Sequence, residues 1–190
     1  MNTRDASTAR TGRKRLLEAA AVLFAQSGYQ AVSVAQILEL SGLKAPSLYH
    51  HFGDKEGLYV EWAVGAISAA GKEIGDQKDV HGVVQALLRD ARFDFLQILR
   101  DMRDLKDATN LSTVRDTVDE RLIKPVAAIL QRVSPRGASI DSHEQAYFLL
   151  HAAMYAHPAY TSMRKGTKIN GSVASWIGQM INDRAAKTAP

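Results

Sequence analysis

Cysteine is absent from all 190 residues, so disulfides, thiol redox sensing, cysteine nucleophiles and cysteine-based zinc sites are excluded together. Proline occurs only five times, and the strict apolar–polar alternation of half-buried strands is missing. Helix is therefore the structure this chain is built to form. Long apolar runs are lacking as well. The most apolar stretches, near Leu16–Ala25 and Phe148–Ala156, are interrupted by Glu18 and His151 and fall short of a membrane span. The first residues carry no apolar core of a secretory signal, and a soluble, cytoplasmic protein with no membrane partner is expected. Charge of one sign is hardly in excess: 24 Lys and Arg stand against 20 Asp and Glu, a net +4, too small an imbalance to name a polyanionic partner.

What is present is a hydrophobic fraction of 46%, enough for a buried core. The basic residues are also unevenly placed. Arg4, Arg10, Arg13, Lys14 and Arg15 crowd the first fifteen positions against Asp5 alone, a leader able to lie along phosphates. Helical periodicity predicts a first helix starting after Thr11, a good N-cap, and ending at Gly28, with Leu16, Ala20, Leu23 and Phe24 inward. Two short helices follow. A longer helix opened by Asp54 carries Leu58, Trp62, Ala66 and Ala69 to about Gly75. The polar stretch Asp76–Asp79 is a break. Beyond it Val84, Leu88, Ala91, Phe95, Ile98, Met102 and Leu105 form one stripe on a single long helix, with the Arg89–Asp90, Arg100–Asp101 and Arg103–Asp104 doublets as its solvated face. A further pattern from Leu111 to Val133 should be kinked or split by Pro125. After a Pro135–Ser139 loop, Asp141 with Glu144 and Ser142 with Gln145 offer overlapping capping boxes for a helix reaching about Pro158. Val173–Ile181 supplies a final amphipathic face.

The segment that carries chemistry runs from Ser33 to Phe52. Ser33 can cap a short helix that buries Val34, Ile37 and Leu38, and Gly42 permits a left-handed turn. Leu43 anchors the turn, and a second helix starts near Pro46. Leu48 and Phe52, spaced i, i+4, pack inward and leave Ser47, Tyr49, His50 and His51 on or near the outer side. Two short helices on a glycine turn, the second with a polar and aromatic outer face, match what major-groove docking requires. Lys55 opens the next helix, where a cation joins the helix dipole to hold a phosphate.

Over about Thr11 to Leu58, and most specifically in Leu48-Tyr49-His50-His51-Phe52 followed by Lys55 and Leu58, the chain resembles the tetracycline-repressor (TetR) family of transcriptional regulators. Leu23-Phe24 and Gly28-Tyr29 add to the likeness. The resemblance implies an all-α fold: an N-terminal three-helix DNA-binding module with a helix-turn-helix, followed by a helical ligand-binding and dimerisation domain. The bounds expected for them are 11–57 and 58–187. It further implies a homodimer on a near-palindromic operator in double-stranded DNA, with a small-molecule effector releasing the DNA. Carried over by position, Ser47 and His50 are base or backbone contacts, Tyr49 and Lys55 phosphate clamps, and Ser33 and Lys44 lesser contacts. Two positions depart from the family pattern. Leu38 stands where alanine is usual, and Lys44 where a serine N-cap is usual, at a cost of about 1 kcal/mol in capping. Lys44, Ala45 and Pro46 all remain candidate first residues of the recognition helix.

Elsewhere the signals are plainer. Phe93, Phe95, Met102, Tyr147, His151, Met154 and Tyr155 either belong to the core or line a cavity for a partly apolar effector; Phe95, Met102, Tyr147, His151, Met154 and Tyr155 are the ligand-binding candidates. His143, His151 and His157, spaced by eight and six, do not suit a helical metal site. No nucleophile elbow, phosphate-binding glycine loop or carboxylate pair in a motif is found, and Gly166–Gly171 is a polar loop. Neither catalysis nor a cofactor is expected. Ala146, Leu149, Leu150, Ala153 and Met154, with Ala152 and Ala156 allowing close approach, form one dimer face and Val173–Ile181 a second, unless both are used inside one subunit. The alternative function is a helical dimeric interaction protein acting through protein partners or nonspecific DNA binding.

Overall fold

The computed structural model describes residues 3–89, 94–133 and 141–155. Phe93, His157, the Pro135–Ser139 loop, Gly166–Gly171 and the Val173–Ile181 face lie outside the described residues, as do the side chains of Arg4, Arg10, Leu88, Met154 and Tyr155. Among the described residues the secondary structure is wholly helical: α1 (Thr3–Ala31), α2 (Val34–Ser41), α3 (Ala45–Phe52), α4 (Lys55–Gly75), α5 (Val80–Arg89), α6 (Phe95–Asp101), α7 (Ala108–Val118), α8 (Lys124–Val133) and α9 (Ser142–Tyr155). No helix among them is long and apolar enough to cross a membrane. The chain forms two compact units, and α4, α6 and α7 each contribute to both: residues up to 66 with 97–115 make one, and 67–96 with those from 116 onward the other.

In the first unit Leu16, Ala20 and Phe24 of α1 are buried as their spacing predicts, together with Ile37, Leu48 and Leu58. The start of α1 differs from expectation. Thr11 does not cap it, because the helix already runs from Thr3. Nothing between Thr3 and Thr11 is a glycine or proline, and Ala6, Ala9 and Arg10 favour continuation. Gly28 breaks the helix where expected, at φ 75° and ψ 176°. The inward face of α4 is also shifted. Ala69 is exposed and Trp62 and Ala66 only half-buried, whereas Tyr59, Ala63 and Ile67 are fully buried beside Leu58. Tyr59 takes this place because its ring fits edge-on against Phe24 at 5.1 Å and Tyr29 at 5.0 Å.

The long helix expected over Val84–Leu105 is not continuous. α5 ends at Arg89, Asp94 is non-helical, and α6 begins at Phe95, directly after an aspartate of the type that caps helices. A 3-10 turn over Met102–Asp104 follows, and Leu105 is extended. The stripe residues Val84, Phe95, Ile98 and Leu105 are nonetheless buried. Nor is every doublet a solvated face, since Asp101 is buried.

In the second unit Val118, Leu122, Val126 and Ile129 are buried, and α8 packs on α9, with α5 against both. The split expected at Pro125 takes the form of a widened π turn over Asp119–Ile123, in which the Lys124 amide reaches back to the Asp119 carbonyl. Pro125 has no N–H to give the carbonyl of Arg121, four residues earlier. That carbonyl lies against Gly71 of α4, where an added Cβ would stand 2.4 Å from its oxygen. The Asp141 cap is realised, its Oδ1 accepting from the amides of His143 at 2.6 Å and Glu144 at 3.0 Å. Ala146, Leu149, Leu150 and Ala153 are buried within the single chain, the alternative that the sequence leaves open for this face of α9. Phe148, 70% exposed, and Tyr147 lie on its outer side.

Two glycines of α4 should respond oppositely to alanine. Gly71→Ala drives a methyl into backbone and should cost about 1–3 kcal/mol. Gly65→Ala meets nothing within 4 Å and should gain about 0.5–1 kcal/mol in helix propensity. Thermal unfolding of both variants, read at about 2–4 °C per kcal/mol for a chain of this size, checks the pair.

Candidate nucleic-acid interface

The α2–α3 pair is fixed at each end by local hydrogen bonds. Ser33 caps α2 in a full capping box: its Oγ accepts from the Gln36 amide at 3.3 Å, and its own amide donates to Gln36 Oε1 at 2.8 Å. Its hydroxyl also donates to Gln36 Oε1, so this exposed side chain is already engaged. At the other end Gly42 adopts φ 63° and ψ 29°. Its amide bonds the Glu39 carbonyl and that of Leu43 the Leu38 carbonyl, the double closure of a Schellman turn. Lys44 is then the extended N-cap of α3 without a side-chain capping bond, and Ala45 is the first helical residue.

Burial of Leu48 settles which way α3 faces. Tyr49, 54% exposed, and His50 point to solvent with Lys44. Ser47 and His51 are half-buried and turn toward α1: a Cβ on Gly12 would stand 3.5 Å from Ser47 Oγ and 3.7 Å from His51 Nε2. The outer face of α3 therefore presents an ammonium, a phenol and an imidazole, all able to donate to phosphate or base-edge acceptors. Arg13 braces the module by pairing with Glu61 and lying 5.4 Å over the Phe52 ring.

Lys55 is placed differently from the other candidates. Its Nζ donates to the carbonyls of Tyr29 and Val32, each at 2.9 Å, and sits 4.1 Å over the Tyr29 ring. Two of its three N–H donors are so committed, which leaves one for a phosphate. Burial lowers its pKa from the ordinary lysine value, and the charge of Asp101 works against that shift.

Three residues matter here that were not among the expected site residues. Arg15 is exposed, and its Nη2 stands 2.7 Å from where a Cβ on Gly42 would be, so its guanidinium lies over the turn between α2 and α3. It makes no ion pair among the described residues. The basic run Arg13-Lys14-Arg15 was its only signal. Asp101 and Glu56 are buried carboxylates. Glu56 accepts from the amides of Lys106 at 3.1 Å and Asp107 at 3.0 Å and from Asn110 Nδ2 at 3.1 Å, and so ties α4 to the start of α7.

The effector candidates are only partly brought together. Phe95 is fully buried with its ring edge-on to His151 at 5.9 Å. His151 is half-buried, and its Nδ1 bonds the Tyr147 carbonyl at 2.7 Å, so Nδ1 carries the proton and a neutral ring keeps Nε2 as an acceptor. Met102 is half-buried in the 3-10 turn. Tyr147 does not share the interior. It is 38% exposed, with its ring 5.5 Å from that of His143. Among the described residues no group of acidic or histidine side chains could hold a metal ion.

The sequence profile described as bacterial regulatory proteins, tetR family, matches residues 16–62, which is α1 from Leu16 through the first turns of α4. The match is confined to the reading module, which is similar to that of TetR-family regulators. The chain is 31% identical over 87 residues to the HTH-type transcriptional repressor AcnR of Corynebacterium glutamicum, an alignment covering 45% of this chain and 46% of AcnR. It therefore matches about half the length of that TetR-family relative. The fold extends further. Salmonella enterica GusR aligns with a TM-score of 0.68 at 20% identity over 92% of this chain and 95% of its own. AibR, solved in complex with isovaleryl coenzyme A and operator DNA, aligns with a TM-score of 0.65 at 17% identity, over 89% of this chain and 97% of its own.

Glu56 also sets a pH dependence. Burial raises its pKa, but the bonds from Lys106, Asn110 and Asp107 more than reverse this and leave it below the ordinary glutamate value. A carboxyl with a folded-state pKa below its unfolded one stabilises the fold above the unfolded pKa and loses that contribution as pH falls through the folded one. Urea unfolding of Glu56→Gln should therefore lose less stability than the wild type on acidification below about pH 5. Equal pH slopes for the two proteins would contradict the assignment.

Proposed function

We propose that this chain is a sequence-specific, DNA-binding transcriptional regulator, a homodimeric repressor that a partly apolar small molecule releases from a near-palindromic operator. One observation carries the reading: α3 is locked by buried Leu48 and the Gly42 turn with Lys44, Tyr49 and His50 outward, as a major-groove helix requires. Tyr49, Lys44 and Arg15 hold phosphates, with Lys55 contributing its remaining donor. His50 reads base edges, helped by the half-buried Ser47, while Ser33 acts chiefly as the cap that orients α2. The TetR-family match over residues 16–62 supports the reading module, and the repressor AcnR supports the direction of control. Exposed Phe148 on the outer side of α9 supports pairing of two copies through that helix. Buried Phe95 beside the Nε2 acceptor of His151 supports an effector that combines an apolar body with a donor group.

Selection of bound fragments from the protein's own genome at moderate salt tests this directly. One enriched palindrome is expected, and broad unenriched recovery would favour the nonspecific or protein-partner alternative. On the selected operator, Arg15→Ala should lower the slope of log affinity against log salt by about 1.8, the loss of one phosphate contact from each protomer of the dimer. Tyr49→Phe should weaken all sequences alike, and His50→Ala should change which operator is preferred. Undiminished binding by an Arg15→Ala, Tyr49→Phe double variant would refute the phosphate assignments.

A further inference from the structure

Asp101 is a buried carboxylate that the DNA-contacting side chains do not use. It is only 3% exposed and sits at the last residue of α6. Its Oδ2 accepts from the Tyr29 amide at 3.0 Å and from the Tyr59 hydroxyl at 3.1 Å, while Oδ1 accepts from Gln97 Nε2 at 2.8 Å. The Tyr29 amide is the first after the Gly28 break in α1. The carbonyls of that same broken end, Tyr29 and Val32, are held by Lys55, and Val32 directly precedes Ser33, the cap of α2. One carboxylate and one ammonium thus grip the short segment from which α2 and α3 are suspended. A Cβ on Gly28 would fall 2.2 Å from Gln97 Nε2 and 3.0 Å from Asp101 Oδ1.

We propose that Asp101 is a positioning residue for operator recognition: by holding the Tyr29 amide it fixes the angle at which the α2–α3 pair leaves α1. The inference rests on the DNA-reading function proposed above. It assigns no contact with DNA to Asp101.

The test is Asp101→Asn in the full chain, with affinity measured for the selected operator and for a scrambled duplex. Asparagine keeps the size but loses the charge and one acceptor oxygen. Removing a negative charge from a DNA-binding unit should, by screened electrostatics alone, tighten binding to any DNA. Loss of positioning acts the other way and only on the operator. The expected result is operator binding weakened about tenfold, as for changes in a coupling network, with scrambled DNA bound as well as before or better. Tyr59→Phe is the control for packing: it removes a donor to the same carboxylate but leaves the Tyr29 bond, so it should lower the melting temperature while operator affinity stays within about twofold.

Operator binding by Asp101→Asn equal to or tighter than wild type overturns the proposal, as does an equal loss in Tyr59→Phe. A wild type that selects no operator is a different failure, since it removes the DNA-reading function first. If Asp101→Asn loses its cooperative thermal transition, amide exchange of the wild type decides. The Tyr29 amide should exchange more slowly once operator is added, and an unchanged rate overturns the inference.

Discussion

A helix that stops at Gly28 leaves an amide and two carbonyls without partners beside an aromatic cluster of Phe24, Tyr29 and Tyr59. Buried backbone groups of this kind cost about 1–3 kcal/mol each if unbonded, a large share of a marginal stability. Water is not the partner the fold provides. The amide receives the Asp101 carboxylate and the carbonyls receive the Lys55 ammonium. Both supports are charged, and each is strong because it is partly withdrawn from water. Burying either charge alone would be unfavourable. Asp101 has its pKa raised by burial and held back by three hydrogen bonds, and Lys55 has its pKa lowered by burial and supported by the charge of Asp101. The two desolvated charges offset one another across a single turn of backbone.

The consequence is that the reading module and the α6–α7 connection are not separable pieces of the first unit. Asp101 ties the end of α6 to α1 and α4, and Glu56 ties the start of α4 to the start of α7. Between Asp101 and the Lys106 and Asp107 amides that Glu56 holds lie only the 3-10 turn and the extended Leu105. The clamp is made of charge-assisted hydrogen bonds where the surrounding core is aromatic and aliphatic, so it is directional in a way that packing of Leu58, Ala63 and Phe24 is not.

What could be read in the sequence was local in origin. Ser33, Gly42, Gly28, Pro125 and Asp141 act on groups within five residues of themselves, and a capping, turn or helix-breaking rule suffices for each. The misread features depend on partners far along the chain. Asp101 looks like one half of a solvated Arg–Asp doublet, because two of the three donors that make its burial tolerable lie 72 and 42 residues away. Helical periodicity identified the apolar side of α9 but not what covers it, and α5 and α8 of the same chain do so. On α4 the spacing through Leu58 was right at its first residue and drifted afterwards, since Tyr59 fills the centre of the ring cluster and Trp62 packs at its half-buried edge.

The site residues also divide by how much freedom they retain. Ser33 and Lys55 spend their polar atoms inside the module, which costs them reach but leaves little conformational entropy to lose when DNA arrives. Tyr49, His50 and Lys44 project from a helix whose backbone is already fixed, so only side-chain torsions remain to be ordered. Arg15 stands between these cases. Its guanidinium lies over Gly42, and any side chain at that position would strain a left-handed backbone and push the end of the arginine aside. The same glycine that permits the turn therefore keeps open the place where the arginine sits, which couples the geometry of the helix-turn-helix to the position of its neighbouring cation.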